Sequence, residues 1–306
     1  MYLEHYNLRK LPFTITSDTE FFMNRAGYQD ALNVLLVALR SGEGFVKVTG
    51  EVGVGKTLLC RKLLNSLKGE YVTAFIYNPY LQPDTLLFAI ADELGVSYET
   101  ASNQHILQKR ITKALLSQHA QGKRVVLCLD EVQAMPVRTL ETLRLLTNIE
   151  TEKRKLLQVV LFGQPELDVL LEQPSVRQLK QRITFSYKLK PLNRTAMKTY
   201  IRHRLAVAGY KGRELFTNST LDTLHHASGG LPRMINILAH KALLVAYGRG
   251  DHVIKNRHLQ AAVEDSPEAR RSGRLRLFMK PPAFLRWLYG TLGMSAFIVI
   301  LVQVYR

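Results

Sequence analysis

Residues 50–57 have the types and spacing needed to hold a phosphate-bearing ligand. They read GEVGVGKT, so that Lys56 and Thr57 directly follow a glycine-rich turn. Glycines let consecutive backbone N–H groups curve around an anion, and the positive end of a following helix faces the same point. Lys56 would bring a point charge to the terminal phosphates, and Thr57 would give its hydroxyl to Mg²⁺. This phosphate loop predicts a nucleotide site formed by Gly50, Glu51, Val52, Gly53, Val54, Gly55, Lys56, Thr57 and Leu58.

The sequence on either side indicates that the loop joins a buried strand to a helix. The apolar run GFVKVTG enters the loop. Leu59, Leu63 and Leu67 follow it at a spacing of four residues, which places them on one face of a helix. A strand, loop and helix in this order are the expected setting of a phosphate site.

Two acids end a second apolar strand, VVLCLDE, later in the chain. Asp130 would hold Mg²⁺ through its water shell, and Glu131 would polarise the water that attacks the terminal phosphate. A strand that ends in acids is common by itself. Together with the phosphate loop, the pair predicts ATP hydrolysis.

Three further polar residues are candidates. Gln164 ends the next strand, at the carboxyl edge where such folds bind ligands; it would orient water or cap the following helix. Arg182, before the last strand, is either a surface arginine or a contact to nucleotide. Arg233 follows Pro232, which suits a first helical turn, and its guanidinium could bridge the phosphates to an overlying segment.

Strands and helices alternate up to Pro191, and only helical patterns follow it. The alternation predicts an α/β fold with a parallel sheet covered by helices on both faces. We expect five parts: an N-terminal leader packed on the ATPase core at 1–30, an αβα ATPase domain at 31–190, a small all-α lid at 191–265, a basic linker at 266–286 and a transmembrane helix at 287–305.

The membrane prediction rests on WLYGTLGMSAFIVILVQVY, which contains no charged residue. As a helix, about 19 residues span roughly 28 Å, close to the thickness of a bilayer's hydrocarbon core. Arginines and a lysine precede it, which favours a cytoplasmic flank and a protein on the inner face of the bacterial inner membrane. Gly290, Ser295 and Gln303 dilute its hydrophobicity, so an apolar helix packed on a cytoplasmic protein is the alternative.

The composition excludes a disordered chain and favours an anionic partner. The chain has 306 residues, 46% of them hydrophobic, and a formal net charge of +17. Such a charge suits nucleic acid or the inner face of a membrane. Cys60 and Cys128 fall on a predicted helix and a predicted strand, and this pattern favours reduced, cytosolic thiols over a structural disulfide.

Several motifs in a fixed order carry a family resemblance. The phosphate loop, LCLDEVQAM, LLQVVLFGQPEL, LKQRITF and GGLPRMINIL, after the opening MYLEHYNLRKLPF, resemble AAA+ ATPases of the general secretion pathway protein A family. The resemblance covers residues 1 to about 265. Within the family, the sequence is similar to the ATPase of MSHA pilus biogenesis. It implies ATP and Mg²⁺ as cofactors, Thr57 and Asp130 as metal ligands, and Glu131 as the catalytic base beside Lys56.

The resemblance also implies a site shared between subunits of a homo-oligomer. Gln164 occupies the first sensor position, with Asn148 as an alternative because Asn or Thr is more usual there. Arg182 is the candidate arginine finger, and Lys180 and Arg177 are its alternatives. Arg233 matches the second sensor.

These observations lead to one main hypothesis and one alternative. The main hypothesis is an oligomeric ATPase that supports assembly of a pilus or secretion apparatus, with the apparatus proteins as partners. The alternative is a DNA-associated AAA+ ATPase of the transposition or loading type, because residues 1–265 alone keep a net charge of about +11. The sequence has no recognisable helix-turn-helix or zinc module, so specific nucleic-acid recognition is not expected.

Overall fold

The computed structural model describes residues 2–16, 18–23, 27–78, 80–97, 104–151 and 154–271. The predicted transmembrane helix at 287–305 and the linker from residue 272 onward lie outside the described residues. Within those ranges, no helix combines the length and apolarity needed to cross a bilayer.

A five-stranded sheet forms the centre of the fold. Its strands are β1 (Phe45–Gly50), β2 (Tyr71–Ile76), β3 (Arg124–Leu129), β4 (Leu157–Gly163) and β5 (Ile183–Leu189). They lie in the order β2-β3-β4-β1-β5, and every pair is parallel. The central strands β1, β3 and β4 are almost wholly buried, which explains their continuous apolar sequences. The predicted parallel α/β sheet is therefore confirmed.

Helices cover both faces of this sheet. On one face lie α1 (Tyr28–Arg40) and α2 (Lys56–Ser66), which share a core with Val46, Val48 and Val160. On the other lie α3 (Pro83–Glu93), α4 (Gln104–Ala120) and α5 (Val137–Leu146), which pack on the alternate strand residues such as Phe45 and Val159. The short helices α6 (Glu166–Leu171) and α7 (Arg177–Arg182) connect β4 to β5.

The two cysteines, distant in sequence, lie side by side between α2 and β3. Both are buried free thiols. A hydrogen bond with Cys128 and burial together raise the pKa of the Cys60 thiol. The thiols thus act as packing groups that join the helix after the phosphate loop to the strand that ends at Asp130.

The chain after β5 is helical. It contains α8 (Arg194–Val207), α9 (Asn218–Ser228), α10 (Pro232–Gly248), α11 (Asn256–Glu264) and α12 (Pro267–Arg271). The last of these lies at the start of the predicted linker, where Ala269 is 1% exposed and joins the core of the other helices. We call residues 191–271 the helical segment.

Hydrogen bonds join the leader to the helical segment. Tyr2 Oη lies 2.8 Å from His240 Nδ1, Arg9 N donates to Ala208 O at 2.8 Å, and Asn236 Nδ2 donates to Thr14 O at 2.9 Å. The end of the leader also lies against the ATPase core, because Thr19–Phe21 contacts α2 and Lys62 Nζ of α2 lies 5.5 Å from the centre of the Phe22 ring. The leader's buried aromatic residues share one core with α1, α2, α8 and α10.

Candidate nucleotide site

The phosphate loop connects the end of β1 to the start of α2 through a turn that requires glycine. Gly53 and Gly55 have φ of +76° and +102°, in the left-handed region. A Cβ on Gly50 would lie 2.9 Å from Val54 Cγ1 and 3.0 Å from Leu189 O. The backbone can therefore curve only because these positions carry no side chain.

Lys56 lies inside this curve, 4% exposed. Its Nζ donates to Gly50 O at 2.8 Å and to Glu51 O at 3.2 Å, which fixes the ammonium beneath the turn. Burial lowers the pKa of Lys56, and the carboxylates of Glu131 and Asp130 act in the opposite direction. The first N–H groups of α2 have no partner within the helix and begin at the same point. A buried cation beside backbone donors fits the chemistry of a phosphate group.

Thr57 and Asp130 meet beside Lys56, although the chain separates them by α2, β2 and the elements that follow. Thr57 Oγ1 donates to Asp130 Oδ2 at 2.6 Å, and Asp130 is 5% exposed. Burial raises the pKa of Asp130, and hydrogen bonds from Thr57 and from the Glu131 N–H oppose that shift. A hydroxyl and a carboxylate oxygen in contact are the oxygen donors that Mg²⁺ prefers.

Glu131 is held by two glutamines at the carboxyl edge of the sheet. Its Oε2 accepts from Gln164 Nε2 at 2.8 Å and from Gln133 Nε2 at 2.7 Å, and Gln164 N donates to Gln133 Oε1 at 2.9 Å. Burial alone would raise the pKa of Glu131, but these hydrogen bonds and the charge of Lys56 bring it below its ordinary value. Glu131 also has a φ of +53°, an unusual conformation for a side chain with a Cβ. The sequence interpretation missed Gln133, although it follows Glu131 by two residues.

The alternatives for the first sensor and the arginine finger lie elsewhere. Asn148 is exposed after α5, and its Oδ1 accepts from Arg182. Arg182 Nη1 also donates to Arg144 O at 3.2 Å, so this side chain rests on α5 of its own chain. Lys180 pairs with Glu172 at 2.6 Å, and Arg177 is exposed. Of the two sensor candidates, Gln164 is the one in hydrogen-bond contact with Glu131.

The first turn of α10 rests on the phosphate loop. Arg233 N donates to Gly53 O at 3.1 Å, and a Cβ on Gly53 would lie 2.7 Å from Arg233 Cβ. Gly230 supports this turn, because its carbonyl accepts from Leu192 N at 2.8 Å and its Cα faces Leu192 O too closely for any side chain. The motif GGLPR thus places a helix start directly over the loop, with the exposed side chain of Arg233 beside it.

Tyr28 supports the loop from the other side, and nothing in the sequence indicated it. Its hydroxyl donates to Val54 O, and a Cβ on Gly55 would lie 3.1 Å from Tyr28 Cε1. Burial raises the pKa of the Tyr28 phenol, so that it remains a hydrogen-bond donor.

A model of the family described as AAA domain matches residues 39–171, the span that holds the phosphate loop, Asp130, Glu131 and Gln164. Residues 39–171 thus form a segment that matches the AAA domain family. The predicted ATPase and AAA-type fold are thus confirmed.

A curated relative resembles most of the chain in addition to the AAA domain. General secretion pathway protein A of Aeromonas hydrophila is 43% identical over 273 residues, which are 89% of this chain and 50% of that protein. The chain therefore spans about half the length of the curated relative it matches.

Solved structures share the fold at low sequence identity. The Cdc6p structure from Pyrobaculum aerophilum has a TM-score of 0.63 at 16% identity, over 81% of this chain and 70% of that one. The ORC2 protein of Aeropyrum pernix, with ADPNP and ADP, has a TM-score of 0.58 at 18% identity, over 79% and 68%. The RuvB Holliday junction branch migration motor of Thermotoga maritima has 0.56 at 17%, over 84% and 73%. At such identities these likenesses show the fold alone.

Proposed function

We propose that this chain hydrolyses ATP as a homo-oligomer and thereby supports assembly of a secretion or pilus apparatus at the bacterial inner membrane. The observation that carries the ATPase chemistry is the 2.6 Å contact of Thr57 with Asp130 beside the buried Lys56. The link to secretion is supported by the relative named General secretion pathway protein A.

Each residue of the cluster has a distinct role in this proposal. Bound Mg·ATP supplies a terminal phosphate whose negative charge the metal partly neutralises. Lys56 and the backbone N–H groups of residues 50–58 hold the phosphates. The oxygen atoms of Thr57 and Asp130 would hold Mg²⁺. Glu131, whose pKa lies below its ordinary value, is ionised at neutral pH and accepts the proton of the attacking water.

Gln164 and Gln133 position this base. Both donate to the same oxygen, Oε2, so that Oε1 of Glu131 is the oxygen left to face water. Their two hydrogen bonds fix the direction of the carboxylate, which is the geometric requirement for a general base. Gln164 thus serves as the first sensor in this proposal.

Arginines complete the site from above and from a neighbouring subunit. Arg233 begins the helix that rests on the loop, and we assign it as the second sensor of a lid formed by residues 191–265. Arg182 is the arginine finger of the next subunit. Its hydrogen bonds to α5 would hold the guanidinium at the surface of its own subunit. There it could contact the nucleotide that is bound to the neighbouring subunit.

The apparatus and the membrane attachment are the finer parts of the proposal. We propose a role in type II secretion or in an MSHA-like type IV pilus, and attachment through a single helix at 287–305 after the basic linker. The relative's name supports secretion, and the pilus is a prediction from the sequence motifs alone.

The DNA-associated alternative has less support. One neighbour, the Aeropyrum pernix ORC1 protein, was solved in complex with DNA, but at 18% identity its likeness carries the fold and no ligand. The high net charge remains the one observation in favour of DNA.

Mixed oligomers test the shared site. Lys56→Ala disables a subunit's own site, whereas Arg182→Ala disables its neighbour's, so each variant alone should lose most ATPase activity. In an equal mixture, half of the subunits keep Lys56, and half of those adjoin a subunit that keeps Arg182. The mixture should therefore regain about a quarter of the normal rate. A mixture no more active than its components would contradict the finger in trans.

A further inference from the structure

A second concave site lies at the edge of the sheet opposite the phosphate loop. The cavity has a volume of about 660 Å³ and is lined by residues of 40–42, 119–124, 150–151 and 154–158, which lie before or at the starts of β1, β3 and β4. The phosphate loop, Asp130 and Gln164 come directly after the carboxyl ends of the same three strands. Because the strands are parallel, those ends all lie at the opposite edge of the sheet. Strands of six residues separate the two sites by about 20 Å.

The cavity is rich in cations. Arg40, Lys123, Arg124, Arg154 and Lys155 line it, together with His119. Among the lining residues that the structure describes, the one acid is Glu150, and it pairs with Lys155. The nearby Glu43 carboxylate accepts from Thr184 Oγ1 at 2.7 Å and so is engaged at β5. The walls therefore carry a clear excess of positive charge.

Part of this charge has a structural role. Arg124 Nη1 donates to Arg40 O at 2.9 Å and Leu39 O at 3.2 Å, and thereby caps the carbonyl end of α1. No comparable structural role is seen for the exposed side chains of Arg40, Lys123 and Arg154. The ion pairs of the described residues involve none of the three. Three cations gathered from three segments around one cavity suit a multiply charged anion.

Gln158 adds a buried acceptor to the cavity wall. It is 2% exposed, and its Nε2 donates to Leu39 O at 3.0 Å and to Glu43 O at 2.8 Å. These two bonds fix the orientation of the amide and tie β4 to the carbonyl end of α1. No donor in the described part of the chain reaches Oε1, which is itself shielded from solvent. Gln158 therefore anchors the cavity wall, and the cations are the groups that would contact a ligand.

We propose that this cavity binds an anion that carries two or more phosphate groups. Its volume lies within the range of small-molecule sites, about 300–1,000 Å³. A concave wall built from three segments fits a compact phosphorylated group, either a free small molecule or a phospholipid headgroup. The proposal does not depend on the roles assigned at the phosphate loop.

Calorimetric titration of the full-length chain in detergent tests the site. Saturating Mg·ADP with excess Mg²⁺ fills the phosphate loop, and inorganic tripolyphosphate is the probe. We expect one binding event per chain, weakened about tenfold or more by Lys123→Ala with Arg154→Ala. The control pair Lys109→Ala with Lys113→Ala removes the same charge from the exposed side of α4 and should change the affinity by less than about twofold. If the first pair does not fold, Arg154→Ala alone replaces it, since this residue is exposed.

Vesicles distinguish the two sources of the ligand. Adhesion to cardiolipin vesicles, whose headgroup carries two phosphates, would assign the site to a lipid headgroup if the cavity variants weaken it; phosphatidylcholine vesicles are the blank. Tripolyphosphate binding that depends on the cavity, with adhesion that does not, would assign it to a free small molecule. Three results would overturn the proposal: no cavity-dependent binding of either probe, equal losses in the control pair, or cavity-dependent binding of a DNA duplex alone.

Discussion

Gly53→Ala is the substitution that most directly tests the contact between α10 and the phosphate loop. The added Cβ would lie 2.7 Å from Arg233 Cβ, whereas carbon atoms in contact are normally about 3.5–4.0 Å apart. The first turn of α10 must therefore move by about 1 Å or the loop must deform. A misplacement of that size in a catalytic site costs about 10²-fold in rate.

A matched control separates this collision from backbone strain. Gly122 has the same φ of +76° as Gly53, but a Cβ there would meet no atom within 4 Å. Alanine at either position should lower the free energy of unfolding by about 1–2 kcal/mol, because the backbone of both residues is in the left-handed conformation. Gly53→Ala alone should also reduce ATP turnover, by about 10²-fold. Steady-state ATPase assays and thermal unfolding of both variants supply the comparison, and equal turnover in the two would refute the reasoning.

Two further predictions concern the leader and the membrane. Burial lowers the pKa of His240, so its neutral form, whose Nδ1 lies 2.8 Å from Tyr2 Oη, contributes stability that is present above the ordinary histidine pKa of about 6.5 and is lost as pH falls through the lower folded value. Once the slower intrinsic exchange at low pH is corrected for, the hydrogen-exchange protection of residues 2–16 should therefore fall on acidification, and less so in His240→Leu; an unchanged acid response in that variant would contradict the assignment. A chain that ends at Pro282 should be released by carbonate, whereas the full chain should stay with membranes. Release of both would show that residues 287–305 are an interface rather than an anchor.

The contiguous parts of the site were predictable from sequence. The phosphate loop and the pair Asp130 and Glu131 are short patterns whose residues act together at one strand end, so spacing alone identifies them. The parallel sheet followed from continuous apolar strands alternating with helices.

Parts built from distant residues were not predictable in the same way. Tyr28 supports the loop through a contact between α1 and Val54 O, and no local pattern marks it. The leader's contacts with α8 and α10 join residues more than a hundred positions apart, and no local pattern in the sequence indicates them. Gln133 sits within a recognised motif, yet its role depends on the fold bringing Gln164 to the same carboxylate oxygen.

The contact between α10 and the phosphate loop is made by peptide groups, Arg233 N and Gly53 O, rather than by side chains. One backbone hydrogen bond contributes about 1 kcal/mol net, which corresponds to roughly a fivefold preference for the closed arrangement. A difference of 1.4 kcal/mol between two nucleotide states changes such a ratio tenfold. In the proposed lid, a nucleotide-dependent change of that size would therefore be enough to shift the balance between contact and separation without changing either residue of the contact.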